Sequence, residues 1–150
     1  MQEVTRDMLG LYEVDRSIMD GKARLMRLQK KVTEQEKVVE RARERAREIE
    51  GAIRDKAFAT DALNLELRNA ESEVVDQERR IKEIKNQREY RIISDRIKEL
   101  KILADDRESA VISGMEELDR LRDAINQGHR EIGEEELKLI QFRQETTEET

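Results

Sequence analysis

The chain has no cysteine, no proline and no tryptophan, only one histidine, and aromatic residues make up just 3% of it. Each absence excludes something. Without cysteine there is no disulfide framework and no thiolate zinc site. Without proline nothing obliges a helix to stop or kink. With so few aromatics, and hydrophobic residues at 36%, a thick globular interior has too little apolar surface to build on. No apolar run approaches the roughly 18 residues of a membrane span. The opening Met1-Gln2-Glu3-Val4-Thr5 lacks the basic and apolar segments of a signal peptide, so a cytoplasmic setting is expected.

Charge is what the chain has in abundance. Asp, Glu, Lys and Arg make up 44% of the 150 residues, with a net charge of −6. Long helices and coiled coils share that composition with disordered chains. Periodicity separates the two. Apolar residues alternate at steps of three and four through Leu11, Val14, Ile18, Gly21, Leu25, Leu28, Val32, Gln35, Val39, Ala42, Ala46, Ile49 and Ile53. The register then passes Lys56 and Thr60 to Leu63, Leu67, Ala70, Val74, Gln77, Ile81 and Ile84. A 3.5-residue repeat kept this long is a seam facing a partner helix.

The phase slips within Lys85-Asn86-Gln87-Arg88-Glu89-Tyr90. A second register follows: Tyr90, Ile93, Ile97, Leu100, Ala104, Arg107, Val111, Gly114, Leu118, Leu121, Ile125, Gly128, Ile132, Glu135, Leu139 and Phe142. A slip at an asparagine, which accepts turn geometries, predicts a reversal, with a stutter in one continuous helix as the alternative. The expected fold is all-α: a long antiparallel coiled-coil hairpin over residues 1–143. Arm one covers about 4–85, the reversal about 86–91 and arm two about 92–143, with a frayed polar tail at 144–150. The second arm is the shorter, so the start of the first should overhang. The alternative is a three-helix bundle reversing near Gly51 and near Asp105-Asp106.

Catalytic patterns are missing. His129 is the single histidine and lies off the apolar stripe, and neither a zinc-protease motif, a nucleophile elbow nor a phosphate loop is present. The carboxylates of a thin helical pair stand in water, without the pocket that would shift their pKa values. The chain reads as a non-enzyme without cofactor or metal.

Three stretches invite partner binding. In Arg41-Ala42-Arg43-Glu44-Arg45-Ala46-Arg47-Glu48 the arginines surround an alanine seam, suiting interhelical ion pairs or an acidic partner. Around the reversal, Arg79, Arg80, Lys82, Lys85, Arg88, Arg91, Arg96, Lys98 and Lys101 outnumber Glu83, Glu89, Asp95 and Glu99. That makes a basic tip, with Tyr90 as a stacking platform if the ligand is RNA. Lys85, Asn86, Glu89 and Tyr90 are the candidate partner-binding residues there. The third stretch is the overhang, Met8 to Leu28, suited to helix-in-groove contact.

Two segments resemble a known family. Leu9-Gly10-Leu11-Tyr12-Glu13-Val14-Asp15 is similar to its Leu-x-x-Leu-Gln-x-Ile-Asp opening, with Tyr12 in place of Gln. Lys85-Asn86-Gln87-Arg88-Glu89-Tyr90 is similar to its more specific Lys-Asn-x-x-Glu-Tyr signature. The family comprises bacterial coiled-coil hairpins that normally carry a C-terminal four-cysteine zinc ribbon. The resemblance implies an adaptor or chaperone for proteins, associated with flagellar assembly and type III secretion, with an RNA role for some members. A chain without cysteine has no such ribbon, and functions seated in the ribbon do not carry over. It is either a piece of a longer zinc-ribbon protein or from a lineage without the ribbon. The expected function is a rod-like adaptor or chaperone for protein partners, neither membrane-bound nor acting on a small molecule. An RNA-binding module and a structural spacer are the alternatives, and monomer and dimer remain equally open.

Overall fold

The computed structural model describes residues 2–149. It consists of two helices, α1 (Gln2–Ile81, 80 residues) and α2 (Gln87–Glu149, 63 residues), packed against one another as an antiparallel hairpin. Both run through the sites where a bundle would have to turn, α1 through Gly51 and α2 through Asp105 and Asp106. The three-helix alternative is therefore not the fold.

Two boundaries differ from those expected. The reversal occupies 82–86 rather than 86–91. Two i to i−3 bonds close α1, from Glu83 N–H to the Arg80 carbonyl at 3.2 Å and from Ile84 N–H to the Ile81 carbonyl at 3.4 Å. Asn86 then starts α2. Its Oδ1 accepts from Arg88 N–H at 2.9 Å, and its carbonyl accepts from Tyr90 N–H at 2.9 Å. This is N-cap geometry, and it satisfies an amide that a helix start otherwise leaves unpaired. Arm two also outlasts its expected end at 143, since α2 continues through Glu149. The Thr146 and Thr147 hydroxyls donate back to the carbonyls of Phe142 and Arg143 at 2.8 and 2.9 Å, and Thr150 lies outside the described residues.

The packing falls into two units. In Arg47–Asn126, Ala70, Ile97, Leu100, Val111 and Leu118 are buried, with Thr60 among them. Lys56 pairs with Glu117, Arg107 with Glu66, Arg96 with Glu73 and Lys101 with Glu78. From Lys56–Glu117 through Glu66–Arg107 to Glu73–Arg96, residue numbers fall on α2 as they rise on α1, the mark of antiparallel pairing. The other unit joins the chain up to Ala46 with the part from Gln127 on. There Val39, Ala42, Ala46 and Leu139 are buried with Gln35. Each helix buries only a stripe, as in coiled-coil packing. From Leu25 onward the first register is buried or half-buried, and so is the second from Ile93. Tyr90, read as the second register's first member, is instead half exposed at 50%: α1 has already ended, so no helical turn stands opposite it.

Candidate interaction surfaces

The arginine stretch is committed to the hairpin itself. Arg43 donates to Glu136 at 2.7 Å and Arg45 to Glu131 at 2.8 Å, while Arg41 Nε reaches the Lys37 carbonyl at 3.3 Å. The Glu136 hydrogen bond, with help from the charges of Glu136 and Glu40, raises the Arg43 guanidinium further above its ordinary pKa. The alanines between these arginines lie in the seam, and Ala46 is close enough to Gly128 that a Cβ there would meet its methyl at 4.0 Å. Small residues bring the two helices together here, within reach of flanking ion pairs.

At the tip, Lys85, Asn86, Glu89 and Tyr90 are brought together at the turn and the first turn of α2, and all four are exposed. Their roles differ. Asn86 is the N-cap. Glu89 stands three residues on, in the first turn of α2, where a carboxylate faces the positive end of the helix dipole. Lys85 and Tyr90 have no such duty to the fold. Among the neighbouring bases Arg96 is engaged by Glu73 and Glu99, and Lys101 by Glu78. Arg79, Arg80, Lys82, Arg88, Arg91 and Lys98 project without an ion pair among the described residues. An open depression of about 410 Å³ lies beside the turn, lined by Gln77, Arg80, Ile84, Glu89, Ile92, Ile93 and Arg96.

The start of α1 carries a run of uncovered apolar side chains. The C-terminal end of α2 reaches Arg24, whose guanidinium lies 3.5 Å from Glu149. Residues 2–24 are exposed. Val4, Leu11, Val14 and Ile18, which carry the seam register, are between 51% and 65% exposed, and Met8, Leu9, Tyr12 and Met19 widen the stripe. Isolated apolar side chains on a surface are ordinary, but a contiguous stripe of them marks a contact site.

No group of three or more His, Asp or Glu among the described residues is placed to hold a metal ion, and no described helix is long and apolar enough to cross a membrane. Comparison with known proteins yields no match to a family model, to a curated protein or to a solved structure.

Proposed function

We propose that this chain is a non-enzymatic coiled-coil interaction protein that holds protein partners through the uncovered start of α1. One observation carries the reading: the seam register runs from Leu11 to Leu28, yet α2 covers it only from Leu25 onward. A partner helix laid on Val4, Leu11, Val14 and Ile18 would bury an apolar stripe that water now wets. An adaptor or chaperone role in the cytoplasm, in a secretion or flagellar setting, accords with the resemblance of the Lys85–Tyr90 segment. The test is affinity capture with the intact chain and with a Leu11→Asp, Ile18→Asp variant. Both positions lie where α2 does not reach, so the hairpin should fold normally. A partner held by the parent chain and lost by the variant supports the proposal. Retention of every partner overturns it.

A second reading, recognition of RNA or an acidic protein by the tip, is favoured by the bases there that lack ion pairs.

A further inference from the structure

We infer that the uncovered start of α1 holds non-native polypeptides in solution, taking up the apolar segments that an unfolded chain exposes. The inference rests on the function proposed above and names the chemistry of the partner. Three observations carry it: the continuity of the seam, an apolar face wider than one helix covers, and flanks that select little by charge.

Continuity comes first. The register that α2 occupies from Leu25 onward continues through Ile18, Val14 and Leu11, which are between 51% and 65% exposed. An apolar segment laid there extends an interface that the hairpin already uses, and it stops where the last turn of α2 begins.

Width then separates a single folded helix from a mobile chain. Tyr12, Met19 and Met26 directly follow the seam residues Leu11, Ile18 and Leu25. At about 3.6 residues per turn they form a second ridge, turned by about 100° from the first. They are 65%, 70% and 69% exposed. Met26 is decisive: α2 packs beside it on Leu25, which is half-buried, and still leaves Met26 bare. One helix on the seam therefore leaves the ridge in water. Farther along α1 the positions that follow seam residues are polar, as at Thr33, Glu40, Arg47 and Arg54. The apolar ridge belongs to the uncovered start. A non-native segment, free to change its own backbone, covers both ridges at once.

Side-chain type points the same way. Four of the chain's five methionines fall within its first 26 residues, and the unbranched thioether adapts to apolar groups of many shapes. Where α2 covers the seam, the flanks of α1 carry ion pairs, Arg43 with Glu136 and Arg45 with Glu131. Gly10 and Ser17 stand in the position of Arg45, just before Leu11 and Ile18. On the other flank Met8 is uncharged, and Asp15 and Lys22 carry opposite signs. Charges at these positions choose a coiled-coil partner, and here they choose weakly.

The experiment uses insulin reduced with dithiothreitol, whose freed B chain precipitates and is followed by light scattering. The full chain has no cysteine, so the reductant leaves it unchanged. An equimolar amount of the parent should at least halve the scattering. The Leu11→Asp, Ile18→Asp variant should lose most of that suppression. A Tyr12→Gln, Met19→Gln, Met26→Gln variant, which leaves the seam intact, should need at least threefold more protein for the same effect. Phe58→Gln, at an exposed site elsewhere on α1, should match the parent. All three variants should unfold at the parental temperature, because every altered side chain is exposed. A parent that leaves the scattering unchanged overturns the inference. So does a ridge variant as effective as the parent, since one folded helix on the seam would then suffice, and so does an equal loss in Phe58→Gln. A parent inactive toward the B chain that still captures a folded protein, lost in the Leu11→Asp, Ile18→Asp variant, overturns this inference alone. Suppression and capture that both persist in that variant overturn the function proposed above as well.

Discussion

Thr60 and Gly114 face each other across the helix pair so closely that a β-carbon at 114 would overlap the Thr60 hydroxyl. It would also press on the threonine Cγ2 at 3.3 Å and Cβ at 3.4 Å. The same enclosure leaves Thr60 Oγ1 buried without a hydrogen-bond partner, an expense of about 1–3 kcal/mol relative to an apolar side chain of the same shape.

Two outcomes follow from this contact. Gly114→Ala, which would stabilise an exposed helix by about 1 kcal/mol, should here destabilise by about 1–3 kcal/mol through overpacking. Adding Thr60→Ala should restore stability to at least the parental level, and Thr60→Val alone should raise it. Chemical denaturation of the four proteins checks the set. A stabilising Gly114→Ala single variant would show that the helices do not approach closely at this layer.

Leu100 is 2% exposed, whereas Phe58 is 79% exposed despite its size. Leu100→Asp should lower stability by more than the 2–5 kcal/mol of about a leucine's truncation to alanine, since it also buries a charge without a partner. Phe58→Asp should change stability by less than about 0.5 kcal/mol. Equal effects in thermal unfolding would contradict the seam assignment.

The residues that made the fold legible are those whose spacing has one physical cause. Leu100, Val111, Leu118 and Leu139 all fall on the alternating three- and four-residue steps of one register because one face of α2 must stay against α1, and all four are buried. The unequal arms, and hence the overhang, followed from the same counting. The turn stands four to five residues earlier than the spacing predicts, because Ile84 continues the first register and is half-buried although the helix has already closed at Ile81. Spacing alone does not distinguish an apolar residue in a turn from one in a seam. Tyr90 departs from the predicted seam for the complementary reason: it is in phase with the second register where α1 has already ended. The arginine cluster illustrates another limit. Arg43 and Arg45 suit an acidic ligand as well as Glu136 and Glu131, and only the pairing of the helices assigns them to the latter.

Acid should weaken the hairpin through identifiable carboxylates. The Gln35 amide donates to Glu135 Oε2 at 2.6 Å and to the Glu135 carbonyl at 2.9 Å. This bond, with Lys138 assisting, holds the Glu135 pKa below its ordinary value of 4.5. Lys56 does the same for Glu117 by hydrogen bond and charge. A carboxylate whose pKa is lower folded than unfolded contributes stability above its unfolded pKa, and that contribution is lost as pH falls through the folded value. Denaturant unfolding should therefore show stability declining below about pH 4.5. A Glu117→Gln, Glu135→Gln variant should be less stable at pH 7 and lose less on acidification. Parallel pH profiles for variant and parent would show that these two groups are not responsible.

Asn86 gives the Lys-Asn-x-x-Glu-Tyr segment a structural role. Asn86→Ala removes the acceptor for Arg88 N–H and should cost about 0.5–2 kcal/mol. Asn86→Asp keeps an acceptor, adds negative charge at the helix start, and should be neutral or slightly stabilising. An alanine variant of parental stability would mean that this cap does not contribute to the hairpin.

Lys85 and Tyr90 separate a binding tip from a mere turn. Both are exposed, neither caps a helix, and neither is held in the seam. Lys85→Glu reverses a charge just before the Asn86 cap, and Tyr90→Ala removes an aromatic face that is half exposed. Each should leave the melting temperature within a few degrees of the parent. If the tip recognises RNA, binding to a single-stranded probe should weaken on both changes. Stacking contributes about 1–3 kcal/mol per base, so Tyr90→Ala should reduce affinity at least fivefold. Affinity should also fall steeply between 50 and 200 mM salt, at roughly those concentrations where released counterions dominate. An acidic protein partner would share the charge dependence of Lys85→Glu while tolerating the loss of the tyrosine ring better. If neither change alters any interaction that the parent chain makes, the tip is a turn alone. The four residues Lys85, Asn86, Glu89 and Tyr90 then reduce to one cap, one dipole partner and two solvated side chains, and binding rests with the uncovered stripe of α1.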